Sequence, residues 1–316
     1  MQGERAGRTR RRIIVAGIAG NVMEWYDFAI YGYFARTIGQ LYFPSEDPVL
    51  SLLAAYGAFA AGFLMRPIGA IVFGHVGDRV GRATCLLLSV VAMAVPTFAI
   101  GLLPTYHDIG IAASLLMLLC RILQGLAVGG EYTGSIVYLA ETSAPERRGL
   151  TSAWAAFGAV AGILLGSAVG AAVINMLPIE EVVGWAWRVP FLFGVVVGGV
   201  GFMIRRRLAF DRPAAAGGFP LLEALRRYPR QMLQVVGICL ANALGFYLMF
   251  VYIVTWLKLY AHMKPNAALL INSLNMAIML GVILGAAWLS DRIGRRPVLF
   301  AASVGLTLFG WPLMAL

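Results

Sequence analysis

The sequence is short of charge. Asp, Glu, Lys and Arg make up only 13% of its 316 residues and hydrophobic residues 60%, whereas a soluble domain has an apolar share of roughly 45–50%. Histidine is scarce as well. His75, His107 and His262 fall in or beside polar stretches far apart in the chain, with no HExxH or comparable spacing, so no metal centre is expected. The phosphate-binding pattern G-x-x-x-x-G-K-[ST] does not occur, which argues against an ATP-driven pump. Three cysteines cannot complete a disulfide framework. Cys85, Cys120 and Cys239 lie inside apolar runs and read as small core residues. No nucleophile–base pattern stands out, so neither an enzyme nor a cofactor is expected.

What the chain has instead is a series of apolar runs of membrane-crossing length. A helix rising ~1.5 Å per residue needs about 20 residues to cross ~30 Å of hydrocarbon. Nine runs qualify, at about 13–38, 51–73, 85–103, 109–140, from 152 onward, 187–204, 232–256, 267–289 and 298–316. The arm MQGERAGRTRRR precedes an apolar run too long for a signal-peptide core, so it reads as a retained tail. The longest polar interval divides the chain. Residues 1–204 form a six-helix half with its tail, 205–229 a central loop and 230–316 a partial second half.

The formal charge of +10 comes from basic clusters between the runs. Nineteen of the 25 Lys and Arg fall in the tail and the alternate loops on its side; only Arg36, Arg188, Lys258 and Lys264 fall on the other. That bias places the N-terminus and the central loop in the cytoplasm, and gives the charge a topological meaning rather than a nucleic-acid one.

Charges inside the runs are costly and should face a bundle interior or a watery path. The fourth run holds Arg121, Gln124 and Glu131, and the second holds Arg66 before Pro67. In the first run Glu24, Asp27 and Tyr31 are spaced three and four residues apart and share one helix stripe. Asp27 is the leading expected proton carrier, with Glu24 and Glu131 behind it. A deprotonated Asp27 could pair with Arg121, and protonation would release the arginine for a solute carboxylate. Expected solute contacts are Arg121, Gln124, Tyr26, Tyr31 and Arg66, with Asn242, Tyr247, Asn272 and Asn275 from the second half. Gly125, Gly129, Gly130 and Gly134, like Gly158, Gly162, Gly166 and Gly170, are spaced for close helix packing.

The most specific feature is a repeat. After the second run stands Gly74-His75-Val76-Gly77-Asp78-Arg79-Val80-Gly81-Arg82, and after the eighth Ser290-Asp291-Arg292-Ile293-Gly294-Arg295-Arg296. Two D-R-x-G-R turns six helices apart imply two related six-helix halves, as in secondary transporters. The aspartate can bond backbone donors at a helix N-terminus and the arginines can bridge to another helix, contacts suited to a cytoplasmic gate.

With these paired turns, Arg121-Ile-Leu-Gln124-Gly125 and the 6+6 layout, the chain resembles the major facilitator superfamily. Gly20-Asn21-Val-Met-Glu24-Trp25-Tyr26-Asp27-Phe28-Ala-Ile-Tyr31-Gly32, Arg66-Pro67-Ile68-Gly69, and Gln124-Gly125 to Gly129-Gly130-Glu131-Tyr132 narrow the resemblance to its metabolite:proton symporters. It implies an all-α membrane bundle and proton-coupled uptake of a small solute through the cell's inner membrane by a protein working as a monomer at full length. A carboxylate such as citrate, oxoglutarate or shikimate is the first expected solute. A zwitterionic osmolyte such as proline or betaine is the second, and a non-transporting fragment or sensor the third. Such transporters have twelve helices, so helices ten to twelve are expected to be missing from this chain, as a fragment or a truncated product.

Overall fold

The computed structural model describes residues 2–206 and 220–315, and among them the regular structure is helical throughout. Nine long helices follow the nine apolar runs. They are α1 (Gln2–Tyr42), α2 (Pro48–Val80), α3 (Arg82–Leu102), α4 (Ile111–Glu141), α5 (Arg148–Met176) and α6 (Arg188–Arg205), then α7 (residues 229–259), α8 (Pro265–Ile293) and α9 (Arg295–Ala315). A stretch of wider π-helical turns, Tyr247–Tyr252, interrupts α7. Seven of the described helices are long and apolar enough to cross a membrane; α1, with its polar stripe, and α9 are not among them. Of the expected central loop, 207–219 lie outside the described residues, and Pro220–Arg227 is a short helix.

Two boundaries differ from the sequence reading. The stretch expected to be a loop after the second run is helical up to Val80, and α8 likewise runs on through Ile293. The break falls only at the glycine of each D-R-x-G-R motif. Gly81 has φ 103° and Gly294 φ 96°, a backbone region that side-chain-bearing residues avoid. Each motif is therefore a helix end with a one-residue hinge into the next helix.

Small residues set how the first half packs. α1 lies along α5, α2 along α4, and α3 against α4 and α6. The four-residue glycine series of α5 faces α1. A methyl group at Gly158 would stand 2.8 Å from the Ile18 carbonyl oxygen and one at Gly166 2.8 Å from that of Tyr26, while at Gly162 it would collide with the Val22 carbonyl. Backbones this close exclude any larger side chain, and they bring the polar stripe of α1 within reach of α3 and α4. α8 packs on α5 and so joins the second half to the first.

Gly162→Val should therefore destabilise the fold by about 1–3 kcal/mol through overpacking. Gly199→Val, where no atom stands within 4 Å of an added methyl, should be near neutral. Thermal unfolding in detergent distinguishes the two; equal midpoints would mean that the α1–α5 contact is looser than described.

Candidate functional site

The interior stripe of α1 is wholly buried: Glu24 is 1% exposed, Asp27 and Tyr31 0%. Asp27 meets three donors from two other helices. Arg121 Nη1 lies 3.1 Å from one carboxylate oxygen, while Gln124 Nε2 at 2.8 Å and Thr97 Oγ1 at 2.9 Å donate to the other. The Arg121 guanidinium also lies over the Tyr31 ring at 3.9 Å. Tyr31 in turn stacks on Phe59 and donates its hydroxyl to the Ala55 carbonyl at 2.9 Å. Asp27 is thus a charge-balanced carboxylate paired with Arg121, whose Nε and Nη2 are buried without a hydrogen-bond partner. Tyr26, expected as a solute contact, is instead a clasp between helices: its hydroxyl donates to the Pro190 carbonyl at 2.7 Å, and the residue is 0% exposed.

Glu131 does not join this cluster. It forms a two-pronged ion pair with Arg205, one prong at 2.7 Å, and accepts a further hydrogen bond from Ser89. Arg205 also donates to the carbonyls of Ala16 at 2.9 Å and Leu86 at 2.6 Å. At 1% exposure it is one of the largest buried side chains, a correction to its place among the basic residues of the central loop. Gly20 admits the pair, because any methyl there would collide with both partners. The signal for Arg205 was indirect: a buried glutamate needs a cation, and this arginine directly ends an apolar run.

Arg66 stands in a box of rings. Its guanidinium carbon lies 3.9 Å from the Phe63 ring centre, 4.4 Å from Phe28 and 5.9 Å from Trp25, and its Nε and Nη2 are buried without a hydrogen-bond partner. Trp25 continues the wall to Tyr132 and, across to α7, to Phe246. Glu24 and Tyr247 act on Arg66 electrostatically. Both carboxylate oxygens of Glu24 are buried and unpartnered too. Of the remaining expected contacts, Asn242 and Asn275 are exposed, and Asn272 is partly buried with its carbonyl oxygen unpartnered. Cys239, expected in a core, is exposed, while Cys85 and Cys120 are buried.

At the C-terminal ends of α2 and α8 the two repeated motifs make different contacts. Asp291 accepts the backbone N–H groups of Gly149 at 2.9 Å and Leu150 at 2.7 Å, capping the N-terminus of α5, and pairs with Arg295 at 2.6 Å. Arg292 lies over the Trp288 ring. In the first motif Arg82 pairs with Glu141 of α4 at 2.8 Å and more loosely with Asp78 at 3.7 Å. Gly74 lines a cleft between α2, α3 and α4; Arg79 and Arg296 are exposed.

Comparison with known proteins places this geometry. Residues 13–316 match the Major Facilitator Superfamily. The chain belongs to that superfamily. It is 35% identical over 321 residues to the proline/betaine transporter of Escherichia coli K12, covering 96% of this chain and 64% of the relative. The glycine betaine/proline/ectoine/pipecolic acid transporter OusA of Dickeya dadantii is also 35% identical, over 97% and 64% of the two chains. The chain thus spans just under two thirds of the length of these relatives. Among solved structures, the proton:xylose symporter XylE superposes with a TM-score of 0.75 at 17% identity, over 92% of this chain and 71% of that one. At that identity the likeness concerns the fold alone, a superfamily bundle.

Removing one partner of the Glu131–Arg205 pair should cost more than removing both. Arg205→Gln leaves a buried carboxylate without its cation and should cost about 3–5 kcal/mol. Adding Glu131→Gln should recover most of that loss in chemical unfolding. If the double variant unfolds as early as the single one, packing around Arg205 and not charge pairing sets the penalty.

Proposed function

We propose that the protein is a proton-coupled symporter of a small zwitterionic osmolyte, of the proline or betaine kind, working by alternating access in the cell's inner membrane with its N-terminus in the cytoplasm. This reverses the order of expectation from the sequence, where a carboxylate stood first. The observation that carries the reading is Arg66: a guanidinium with unpartnered donors, set in a box of aromatic rings where the two halves meet. A carboxylate can take the free donors, and aromatic faces attract a quaternary or secondary ammonium. A di- or tricarboxylate would bring a second negative charge against aromatic faces, which are themselves electron-rich and repel it. The names of the relatives point the same way.

In this reading Arg121 holds Asp27 in place rather than meeting the solute. Gln124 and Tyr31 brace that pair. Proton coupling belongs to the buried carboxyls Glu24, Asp27 and Glu131. Asp78 with Arg79, Gly81 and Arg82, and Asp291 with Arg292, Gly294, Arg295 and Arg296, form contacts at the cytoplasmic ends that break and re-form as the halves rock.

Proteoliposomes of the full-length protein under an inward proton gradient test it. Uptake of radiolabelled glycine betaine or proline should exceed that of citrate by at least about tenfold, and Arg66→Lys, which keeps the charge but loses the planar fork, should weaken solute binding by roughly tenfold. Preferential citrate uptake would restore the carboxylate reading.

A further inference from the structure

Three buried acids lie on the facing sides of α1 and α4, and only two of them have a hydrogen-bonded cation. Asp27 has Arg121 and Glu131 has Arg205. Glu24 lies between them along α1, one turn closer to the cytoplasm than Asp27, and neither of its oxygens has a hydrogen-bond partner. The charges that act on it are Arg66 from α2, Glu131 from α4 and Arg205 from α6. Tyr132 of α4 interacts with it as well. An ionised carboxylate with no donor is the costliest state available in such a place, and the neutral acid the cheapest.

Glu24 also opens onto a small cavity between α1, α3 and α4. Ser89 and Glu131 line it with Glu24, and the rest of the wall is apolar: Met23, Val90, Met93, Ala127 and Val128, with Gly20. The free core of the space fits about one water, and three polar side chains are there to hold it. The helix directions give the cavity a sense. α1 rises from the cytoplasmic end and α4 descends to it, so Glu131, ten residues beyond Arg121 on α4, lies on the cytoplasmic side of the Asp27 cluster.

We propose that Glu24 holds the transported proton, and that the cavity and the Glu131–Arg205 pair form its route toward the cytoplasm. The carboxylic acid of Glu24 gives its proton to water in the cavity, and that water passes one of its own to a Glu131 oxygen. Arg205 then loses part of its counter-charge, which drives the proton from Glu131 to water at the cytoplasmic end of the helices and re-forms the pair. Asp27 keeps its ion pair throughout and anchors Arg121. Arg205 and Ser89 are positioning residues in this scheme, since they act through Glu131. The proposal deepens the proton-coupled reading and rests on it.

Infrared difference spectroscopy of the full-length protein in membranes tests it without any solute. The carbonyl stretch of a protonated carboxyl should be present in the native protein at neutral pH, be lost in Glu24→Gln, and persist in Asp27→Asn. Glutamine is isosteric with the neutral acid, so this variant should fold. In heavy water the band shifts as the proton exchanges, and Glu131→Gln should slow that shift by at least roughly tenfold while leaving the band in place. A band that survives Glu24→Gln and vanishes in Asp27→Asn would move the proton to Asp27 and overturn the proposal. Unchanged exchange in Glu131→Gln would remove the route. Either result leaves the uptake of betaine or proline to be judged by its own assay.

Discussion

A charge in the apolar interior of a membrane protein must be paired, neutralised or in use, and the rest of this molecule follows from how it meets that constraint. Five acidic or basic side chains among the described residues of α1, α4 and α6 are buried almost completely: Glu24, Asp27, Arg121, Glu131 and Arg205. Four of them form two ion pairs that stitch α1 to α4 and α4 to α6. The pairing requires helices far closer than ordinary side chains permit, which is what the glycines facing α1 and the close approach of α2 and α4 provide. Packing and electrostatics are one design here. Remove the small residues and the ions lose their partners; remove the partners and the helices are left with bare charges.

Much of this was legible before any coordinates. The three- and four-residue spacing of Glu24, Asp27 and Tyr31 gave the buried stripe, and the four-residue glycine series gave a packing groove whose partner only the fold could name. The repeated D-R-x-G-R turns and the local motifs gave the superfamily. Three things were not legible. Arg205 ends its apolar run inside Arg-Arg-Arg, and in such a run the sequence does not say which arginine is the last one buried. The box around Arg66 was hidden because Phe28 and Phe63 are ordinary apolar residues on apolar helices, and only the crossing of α1 and α2 turns them into walls. The partner of Tyr26 is the third: its hydroxyl bonds the Pro190 carbonyl of α6, a contact that its own stretch of sequence does not reveal.

The contacts at the helix ends differ in character from those in the interior. At the ends of α2 and α8 they are partly exposed ion pairs and a carboxylate on a helix N-terminus, cheaper to break than a fully buried pair. Asp291 on the start of α5 is the clearest case, since it ties α8 to α5 through two backbone N–H groups. In the interior the pairs are fully desolvated.

The central claim is that a net-neutral zwitterion moves together with a proton, and charge movement tests it most directly. In solid-supported membrane recordings on the reconstituted full-length protein, glycine betaine or proline added on the entry side at zero voltage should carry positive charge inward, one elementary charge with each solute. Uptake of the same solutes without any current would contradict the account, because a neutral zwitterion would then be crossing without its proton.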